Sequence, residues 1–226
     1  MIELIEDFNL LDAFVVTIRL ALWSALFSLI LGTIVAILRL APVRVLNTAG
    51  TAYVTLLRNT PLTLIIVFTS LGLWGQLGIE PASRDSATFI IDLNFRLAVL
   101  GLTVYHAAFV CEALRSGVNT IPVGQAEAAR SIGLTFAQSL RNVIMPQAFR
   151  GAITPLGNVM IALTKNTTVA VAIGVQEPAY ALRNMIEFRP DLLLQGFLLI
   201  AIGFVILTLP MGVLISWLSG RLAVRR

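Results

Sequence analysis

The sequence predicts an all-α, polytopic integral membrane protein with about five transmembrane helices. Hydrophobic residues make up 58% of the 226 residues, charged residues only 12%, and the mean hydropathy is +0.90. A soluble globular chain has about a quarter of its residues charged, so this composition excludes that class. Several runs without any charged residue are long enough to cross a bilayer. No internal repeat is visible, and we predict one transmembrane domain over residues 1–226.

The N-terminal part of the chain contains two predicted spans with an amphipathic helix between them. The first span is the charge-free run from Leu20 to Leu38, extended to Ala13 at its outer edge. The stretch from Pro42 to Arg58 is amphipathic, which indicates a helix lying against the membrane. The second span is charge-free from Asn59 to Ile79. The acidic N-terminus lacks a small-residue cleavage site and does not look like a signal peptide.

A third and a fourth span are predicted around ionisable residues. The third lies between Arg96 and Glu112, which are so close in sequence that both side chains must reach towards the interfaces or line a polar cavity. The fourth runs from Gly151 to Gln176 and contains one charged residue, Lys165. Ionisable groups inside a membrane segment are costly, so these positions need a structural or functional explanation.

The chain ends with a polar loop over residues 177–191 and a fifth span, which is charge-free from Leu192 to Gly220. Glycines and Pro210 inside this long span predict a kink or a tilt. An odd number of spans places the N-terminus and the C-terminus on opposite sides of the membrane.

The distribution of arginines orients the spans, because positively charged loops stay in the cytoplasm. One side holds most of them: Arg39, Arg44, Arg58, Arg115, Arg130, Arg141, Arg150, Arg221, Arg225 and Arg226. The other side holds only Arg84, Arg96, Arg183 and Arg189, with Arg19 at its edge. The pattern therefore predicts an N-terminus outside, a C-terminus in the cytoplasm, and a cytoplasmic loop over residues 119–150.

That cytoplasmic loop has polar groups in every turn and is predicted to form two short helices. The first covers about Val123 to Ile132 and follows Pro122, a residue suited to the start of a helix. Gly133 is typical of a helix end. A loop with this much secondary structure indicates contact with a partner.

The second helix of the loop is predicted from Phe136 to Met145. Thr135 and Gln138 have the spacing of a capping box, in which each side chain accepts the backbone N–H of the other residue. Pro146 is expected to end the helix, because an interior proline removes a backbone donor.

The loop also contains the spaced pattern EAA-x3-G-x10-IMP, which begins at Glu127. It resembles the EAA loop of permease subunits of bacterial ABC importers, with Met145 where leucine is more usual. The resemblance implies that five residues couple the spans to a separate ATPase subunit: Glu127, Ala128, Ala129, Gly133 and Pro146. The alternative is an amphipathic connector that happens to contain Glu-Ala-Ala, a common helical tripeptide.

Three further segments resemble one branch of that family, the polar amino acid permeases, and extend the resemblance over nearly the whole chain. They are Arg58-Asn59-Thr60-Pro61, Glu112-x2-Arg115-x-Gly117 and Lys165-Asn166-Thr167. Asn59 and Ser116 replace glycines of the usual patterns. The chain looks most like actinobacterial glutamate permeases. This resemblance implies import across a bacterial plasma membrane, a second permease and an extracytoplasmic solute-binding protein, with glutamate, glutamine or another polar amino acid as substrate.

Lys165, the only lysine, has two interpretations that the residues alone leave open. On a translocation path it would attract a substrate carboxylate or gate the path, and Asn166 and Thr167 would add hydrogen-bonding groups. Otherwise it is a structural ion-pair partner of Glu112, or it reaches to an interface. Arg58 is the other basic residue expected near a path.

Structural explanations also exist for two of the motifs. Pro61 suits the first turn of a helix with Asn59 or Thr60 as its cap. Glu112 and Arg115 are spaced i, i+3 and are expected to pair on one helix face.

The residues indicate no catalytic, metal, cofactor or nucleic-acid site. Cys111 is the only cysteine, and His106 has no ligand-like partner, so we expect a buried histidine with a hydrogen bond. The chain lacks a GxxxxGK[ST] sequence, so if transport uses ATP, another subunit must hydrolyse it. Two other classes compete with this interpretation. They are a gradient-driven secondary transporter or channel, and a scaffold that only anchors a cytoplasmic partner.

Overall fold

The computed structural model describes residues 2–222, and within them the chain forms eleven α-helices and no β-strand. Arg225 and Arg226, two arginines of the predicted cytoplasmic side, lie outside the described residues. Within these limits four helices are long and apolar enough to cross a membrane, and a bent pair of helices could form a fifth span. The predicted all-α polytopic fold is confirmed.

Two long helices form the centre of the bundle. After the short helix α1 (Ile2–Asp7), α2 spans Leu10–Leu40 and packs along α5, which spans Phe89–Val118. Small residues allow this close approach: a Cβ on Gly32 of α2 would come within 2.6 Å of the Val110 side chain of α5. Close packing of small residues is a main source of helix association in membranes.

The second predicted span is bent and shorter than expected. The amphipathic helix is confirmed as α3 (Arg44–Arg58). It meets α4 (Leu62–Val67) and the π-helical segment Phe68–Trp74 at an angle of 103°. The helix therefore ends several residues before Ile79, where the charge-free run had placed its end.

Asn59 and Thr60 do not cap α4, so that part of the prediction is wrong. Asn59 Nδ2 donates to the carbonyl of Thr55 at 2.7 Å, and Thr60 Oγ1 donates to the carbonyl of Leu56 at 2.8 Å. Both side chains thus satisfy carbonyls at the end of α3, which have no partner within the helix. Pro61 then precedes the first residue of α4.

The loop predicted over residues 119–150 contains three helices, which are α6 (Val123–Ser131), α7 (Phe136–Ser139) and α8 (Met145–Gly151). A π-helical segment over Leu140–Ile144 joins the last two. The prediction that Pro146 ends a helix is wrong. Pro146 lies in the first turn of α8, where its missing N–H is tolerated, and the π-helical segment changes the hydrogen-bond register before it.

The fourth and fifth spans complete the bundle. α9 (Ile153–Asn166) continues as a 3₁₀ helix over Thr167–Ile173 and ends at Gly174, whose φ is +80°. α11 (Leu193–Leu222) packs against α9, and Pro210 lies inside it without ending it. Most of α11 is exposed apolar surface.

Residues 177–191 were predicted as a loop, but they contain α10 (Pro178–Phe188). The carboxylate of Glu177 caps this helix, accepting the N–H of Ala179 at 2.9 Å and of Tyr180 at 3.1 Å. An acidic residue directly before proline is the start signal that sequence analysis missed. Glu177 is fully buried, and burial raises its pKa to about 8 although the two backbone donors favour the charged form.

The stability of the protein should therefore fall as Glu177 ionises at rising pH. Its pKa in the folded protein, about 8, lies above the ordinary value of 4.5, so its contribution is complete below 4.5 and is lost as the pH rises through 8. Glu177→Gln should flatten the decrease in melting temperature between about pH 4.5 and 8. Glu187→Gln, which removes an exposed carboxyl from the same helix, is the control. An unchanged slope in the Glu177 variant would contradict this prediction.

Candidate functional site

The turn between α6 and α7 is a defined backbone structure centred on Gly133. This residue has a φ of +81°, in the left-handed region that favours glycine. Its N–H donates to the carbonyl of Arg130 at 2.9 Å, and the N–H of Leu134 donates to the carbonyl of Ala129 at 3.1 Å. These are the two bonds of a Schellman motif. Among the described residues no atom lies within 4 Å of a Cβ built on Gly133, so the requirement for glycine is conformational.

The capping box predicted at the start of α7 is present. Thr135 Oγ1 accepts the N–H of Gln138 at 3.3 Å, and Gln138 Oε1 accepts the N–H of Thr135 at 2.9 Å. The Schellman turn and the capping box follow each other directly. Together they fix the direction in which α7 leaves α6, so the loop is a structured surface.

The Glu-Ala-Ala segment is divided between the surface and the interior of the loop. Glu127 and Ala128 are exposed, whereas Ala129 is buried. Val123 and Ile132, at the two ends of α6, are 74% and 77% exposed. Beside α6 lies a groove of about 480 Å³ that is mostly apolar and is lined by Pro42, Ala126, Arg130, Leu134, Phe136, Ser139, Leu140 and Ile144. Exposed apolar surface rimmed by polar residues is typical of a protein-binding site.

α8 connects this loop to the central helix α5. Pro146 begins α8 at the surface, and the buried residues Ala148 and Ala152 contact the end of α5 at Gly117. A Cβ on Gly117 would come within 2.2 Å of the carbonyl oxygen of Ala148. The contact therefore requires glycine, and it leaves little freedom for α8 to move without α5.

Three arginines surround Glu112 near the same end of α5. Arg39 of α2 forms a short ion pair with Glu112, and Arg115 Nη1 lies 3.5 Å from Glu112 Oε1. Arg58 Nη1 lies 3.9 Å from Oε2, and the Arg58 guanidinium also lies over the ring of Phe109. The cluster joins α2, α3 and α5. It places Arg58, predicted near a path, in an interhelical ion cluster.

The contacts of Glu112 distinguish between the two ion-pair partners considered for it, Arg115 and Lys165. The predicted pair with Arg115 is confirmed, whereas the alternative in which Glu112 pairs with Lys165 is wrong. Sequence analysis missed Arg39 as the principal partner. Arg39 and Glu112 close two spans on the same predicted side of the membrane, and that shared position is the signal that could have paired them.

Of the predicted Lys165-Asn166-Thr167 group, only Lys165 is exposed. Among residues 4–221, whose side chains the structure describes, it forms no ion pair. Asn166 Nδ2 donates to Nε2 of the buried His106 at 3.1 Å, and His106 Nδ1 donates to a carbonyl of its own helix. Thr167 is fully buried and donates to a carbonyl one turn earlier. The expected buried, hydrogen-bonded histidine is confirmed, and the bond between Asn166 and His106 joins α9 to α5.

Asn166→Ala should destabilise the protein by about 1–3 kcal/mol, because Nε2 of the buried His106 would lose its donor. Asn158→Ala is the matched control, since Asn158 is exposed on the same helix. We expect the control to change stability by less than about 0.5 kcal/mol. Thermal unfolding in detergent measures both variants. Equal melting temperatures would show that the His106–Asn166 bond contributes little.

Known proteins with similar sequences show the family of this chain. The family described as "Binding-protein-dependent transport system inner membrane component" matches residues 28–225. The chain belongs to this family. This inner membrane component is 53% identical to the glutamate transport system permease protein GluC of Corynebacterium glutamicum over 218 residues, 96% of each chain. It is 30% identical to the probable glutamine ABC transporter permease protein GlnM of Bacillus subtilis over 220 residues, 97% of this chain and 96% of the relative.

A solved structure of the same class has a similar fold. The crystal structure of an amino acid ABC transporter with histidines superposes with a TM-score of 0.77 at 25% identity, covering 92% of this chain and 91% of that one. The predicted resemblance to ABC importer permeases is confirmed. The chain is thus a membrane permease component of a binding-protein-dependent transporter, a subunit whose role is not catalytic.

Proposed function

We propose that this chain is the permease subunit of an ATP-driven importer of a polar amino acid, with glutamate as its substrate. The observation that carries the proposal is the 53% identity with a glutamate transport permease over 96% of both chains. Glutamine is the second candidate, because a probable glutamine permease is 30% identical over nearly the same length. Similarity along the whole chain, rather than in one motif, supports a shared class of substrate.

A separate ABC ATPase subunit docks on α6 in this proposal. Glu127 and Ala128 present the exposed surface, and Ala129 and Gly133 hold the turn behind it. Pro146 lies in the first turn of α8. When the loop moves, α8 moves α5 with it, because α8 is in close contact with Gly117 of α5. A second permease, identical or paralogous, completes the path, and an extracytoplasmic solute-binding protein delivers the amino acid.

Alternating access follows from two arrangements of the same helices. When the ATPase subunits close, α6 moves with them and α8 moves α5. α5 carries Glu112, which belongs to the ion cluster, and His106, which bonds to Asn166 next to Lys165. A movement of α5 therefore displaces the ion cluster and the Lys165 segment together. ATP binding shifts the population between the two arrangements because the docked subunit contacts them differently.

The N-terminus of the chain lies outside and the C-terminus in the cytoplasm. Support comes from the positions of Arg39, Arg58 and Arg115, which gather at the end of α5 where the EAA loop begins. Positive charge is therefore concentrated on the side of the loop, as expected of a cytoplasmic face.

Lys165 faces the translocation path and attracts a substrate carboxylate. Its exposure supports this role, as does the lack of an ion pair in the described part of the chain. An ammonium group inside a membrane segment needs a charged partner or a hydrated cavity. Asn166 acts as a positioning residue, since its bond to His106 fixes the helix turn that carries Lys165.

Uptake of labelled glutamate into cells that express the complete transporter tests this proposal. Unlabelled glutamate should compete better than glutamine, histidine or arginine. Lys165→Ala should abolish uptake at normal abundance, because the carboxylate loses its counter-charge, and Lys165→Arg should retain part of it. Stronger competition by glutamine would change the substrate, and full uptake by Lys165→Ala would remove Lys165 from the path.

A further inference from the structure

A groove between α2 and α5 lies at the opposite end of these helices from the Glu112 cluster. Its volume is about 460 Å³. It is lined by Arg19, Trp23, Phe27, Asp92, Phe95, Arg96, Val99, Leu100 and Thr103. We call it the α2–α5 groove. None of its residues belongs to the coupling loop or to the Lys165 segment.

The spacing of charges along the two helices gives the depth of this groove in the membrane. Twenty residues of α2 separate Arg19 from Arg39, which is about 30 Å of helix. Nineteen residues of α5 separate Arg96 from Arg115, which is about 28 Å. The hydrocarbon core of a bilayer is about 30 Å thick. Arg19 and Arg96 therefore lie at headgroup level in the leaflet opposite the coupling loop.

Both arginines remain available to an anion. Arg19 lies over the ring of Phe95, 5.2 Å from its centroid, and Arg96 donates to the backbone carbonyl of Pro81. Neither forms an ion pair with a carboxylate of residues 4–221, whose side chains the structure describes, and Asp92 accepts the hydroxyl of Thr88 at 2.7 Å. The two guanidinium groups line the same groove without an ion-pair partner among these residues, and such groups suit the oxygens of a phosphate.

Apart from Asp92 and Thr103, the rest of the groove is lined by apolar side chains. Trp23 and Phe27 stack with ring centroids 5.7 Å apart and are 48% and 43% exposed. Tryptophan is typical of the membrane–water interface.

We propose that the α2–α5 groove binds an anionic phospholipid of the leaflet opposite the coupling loop. Its phosphate lies between Arg19 and Arg96, and one acyl chain lies along Trp23 and Phe27. The groove has positive charge at headgroup level and an apolar wall below it. An anionic phospholipid has a negatively charged headgroup above apolar acyl chains, so the two surfaces are complementary. A second permease chain fits less well, because it would have to place a carboxylate between the arginines, and the exposed helix α11 carries none.

Quenching of Trp23 fluorescence by brominated lipids tests this proposal on the assembled transporter in vesicles. The contribution of Trp23 is the difference between the wild type and Trp23→Phe. Brominated phosphatidylglycerol should quench it more effectively than brominated phosphatidylcholine, by about fivefold or more at low mole fraction. The preference should vanish in Arg19→Gln/Arg96→Gln and persist in part in Arg19→Lys/Arg96→Lys. Arg183→Gln, which removes an exposed arginine of α10, should keep it in full.

Two results would overturn the proposal. Equal quenching by the two lipids in the wild type would mean that the groove does not select an anionic headgroup, and this comparison needs no variant to fold. A preference that survives in the double glutamine variant would remove the arginines from the site. If neither lipid quenches Trp23 until the two permeases are separated, the groove is an interface between permeases, which also contradicts a lipid site.

Discussion

Glu112→Gln should strongly reduce the abundance and melting temperature of this permease. The substitution removes the carboxylate and leaves Arg39, whose side chain is only 10% exposed, without its partner. Loss of one member of a buried ion pair costs roughly 3–5 kcal/mol, and because Glu112 is 31% exposed we expect a value at or below the lower end of that range. Arg39→Met alone should have a smaller effect, because Glu112 keeps Arg115 and Arg58 within ion-pair distance. Quantification of the tagged protein in membranes and thermal unfolding in detergent measure both effects.

The double variant Arg39→Met/Glu112→Gln distinguishes this pair from its alternatives. It should recover part of the stability lost in Glu112→Gln, because no unpaired charge is then buried. The control is Glu112→Gln/Lys165→Ala, which should recover nothing, since Lys165 does not contact the cluster. Recovery in the control but not in the Arg39 variant would mean that Glu112 pairs with Lys165 in the assembled transporter.

Gly133→Val should uncouple the transporter while the permease stays abundant in the membrane. A β-branched residue cannot adopt a φ of +81° without strain, so the Schellman turn would break and α7 would leave α6 in another direction. Gly133→Asn is the matched control, because asparagine tolerates the left-handed conformation. We expect near-normal uptake from Gly133→Asn. From Gly133→Val we expect ATP hydrolysis that no longer depends on substrate, or loss of the ATPase subunit.

Glu127→Arg should have the same outcome for a different reason. Glu127 is exposed in the isolated chain, so a charge reversal there does not destabilise the loop. Buried in an interface, the reversed charge costs roughly 2–5 kcal/mol or more. The ATPase subunit should then be lost during purification. Full uptake by both Glu127→Arg and Gly133→Val would make the loop a simple connector.

Most of the fold could be predicted from local features of the sequence. Charge-free runs gave the first and last spans, and the capping box and Gly133 gave the ends of the loop helices. Local features failed where the chain bends sharply or changes its helical register. The 103° bend before α4 turns Asn59 and Thr60 back onto α3. Pro146 sits inside the loop because a π-helical segment changes the register before it.

The geometry of the candidate site could be predicted only in part. The residues proposed for coupling follow each other on one short loop, so a spaced motif was sufficient to propose them. Lys165, Asn166 and Thr167 are also consecutive, but successive residues of a helix point in different directions around its axis. Lys165 therefore faces outwards while Asn166 and Thr167 bond inside the bundle. The pairing of Glu112 with Arg39 links two helices that are distant in sequence, and the packing of α2 on α5 brings the two side chains together.

The docking of α6 on an ATPase subunit is tested most directly by photocross-linking within the active transporter. A photoreactive amino acid replaces Ala128, which is exposed beside Glu127, or Leu209 on the exposed face of α11 as the control. Illumination should join the Ala128 variant to the ATPase subunit, and substrate transport should persist before illumination. The Leu209 variant should give no such product. If an active Ala128 variant cross-links only to lipid or to its own chain, the EAA loop does not dock on the ATPase.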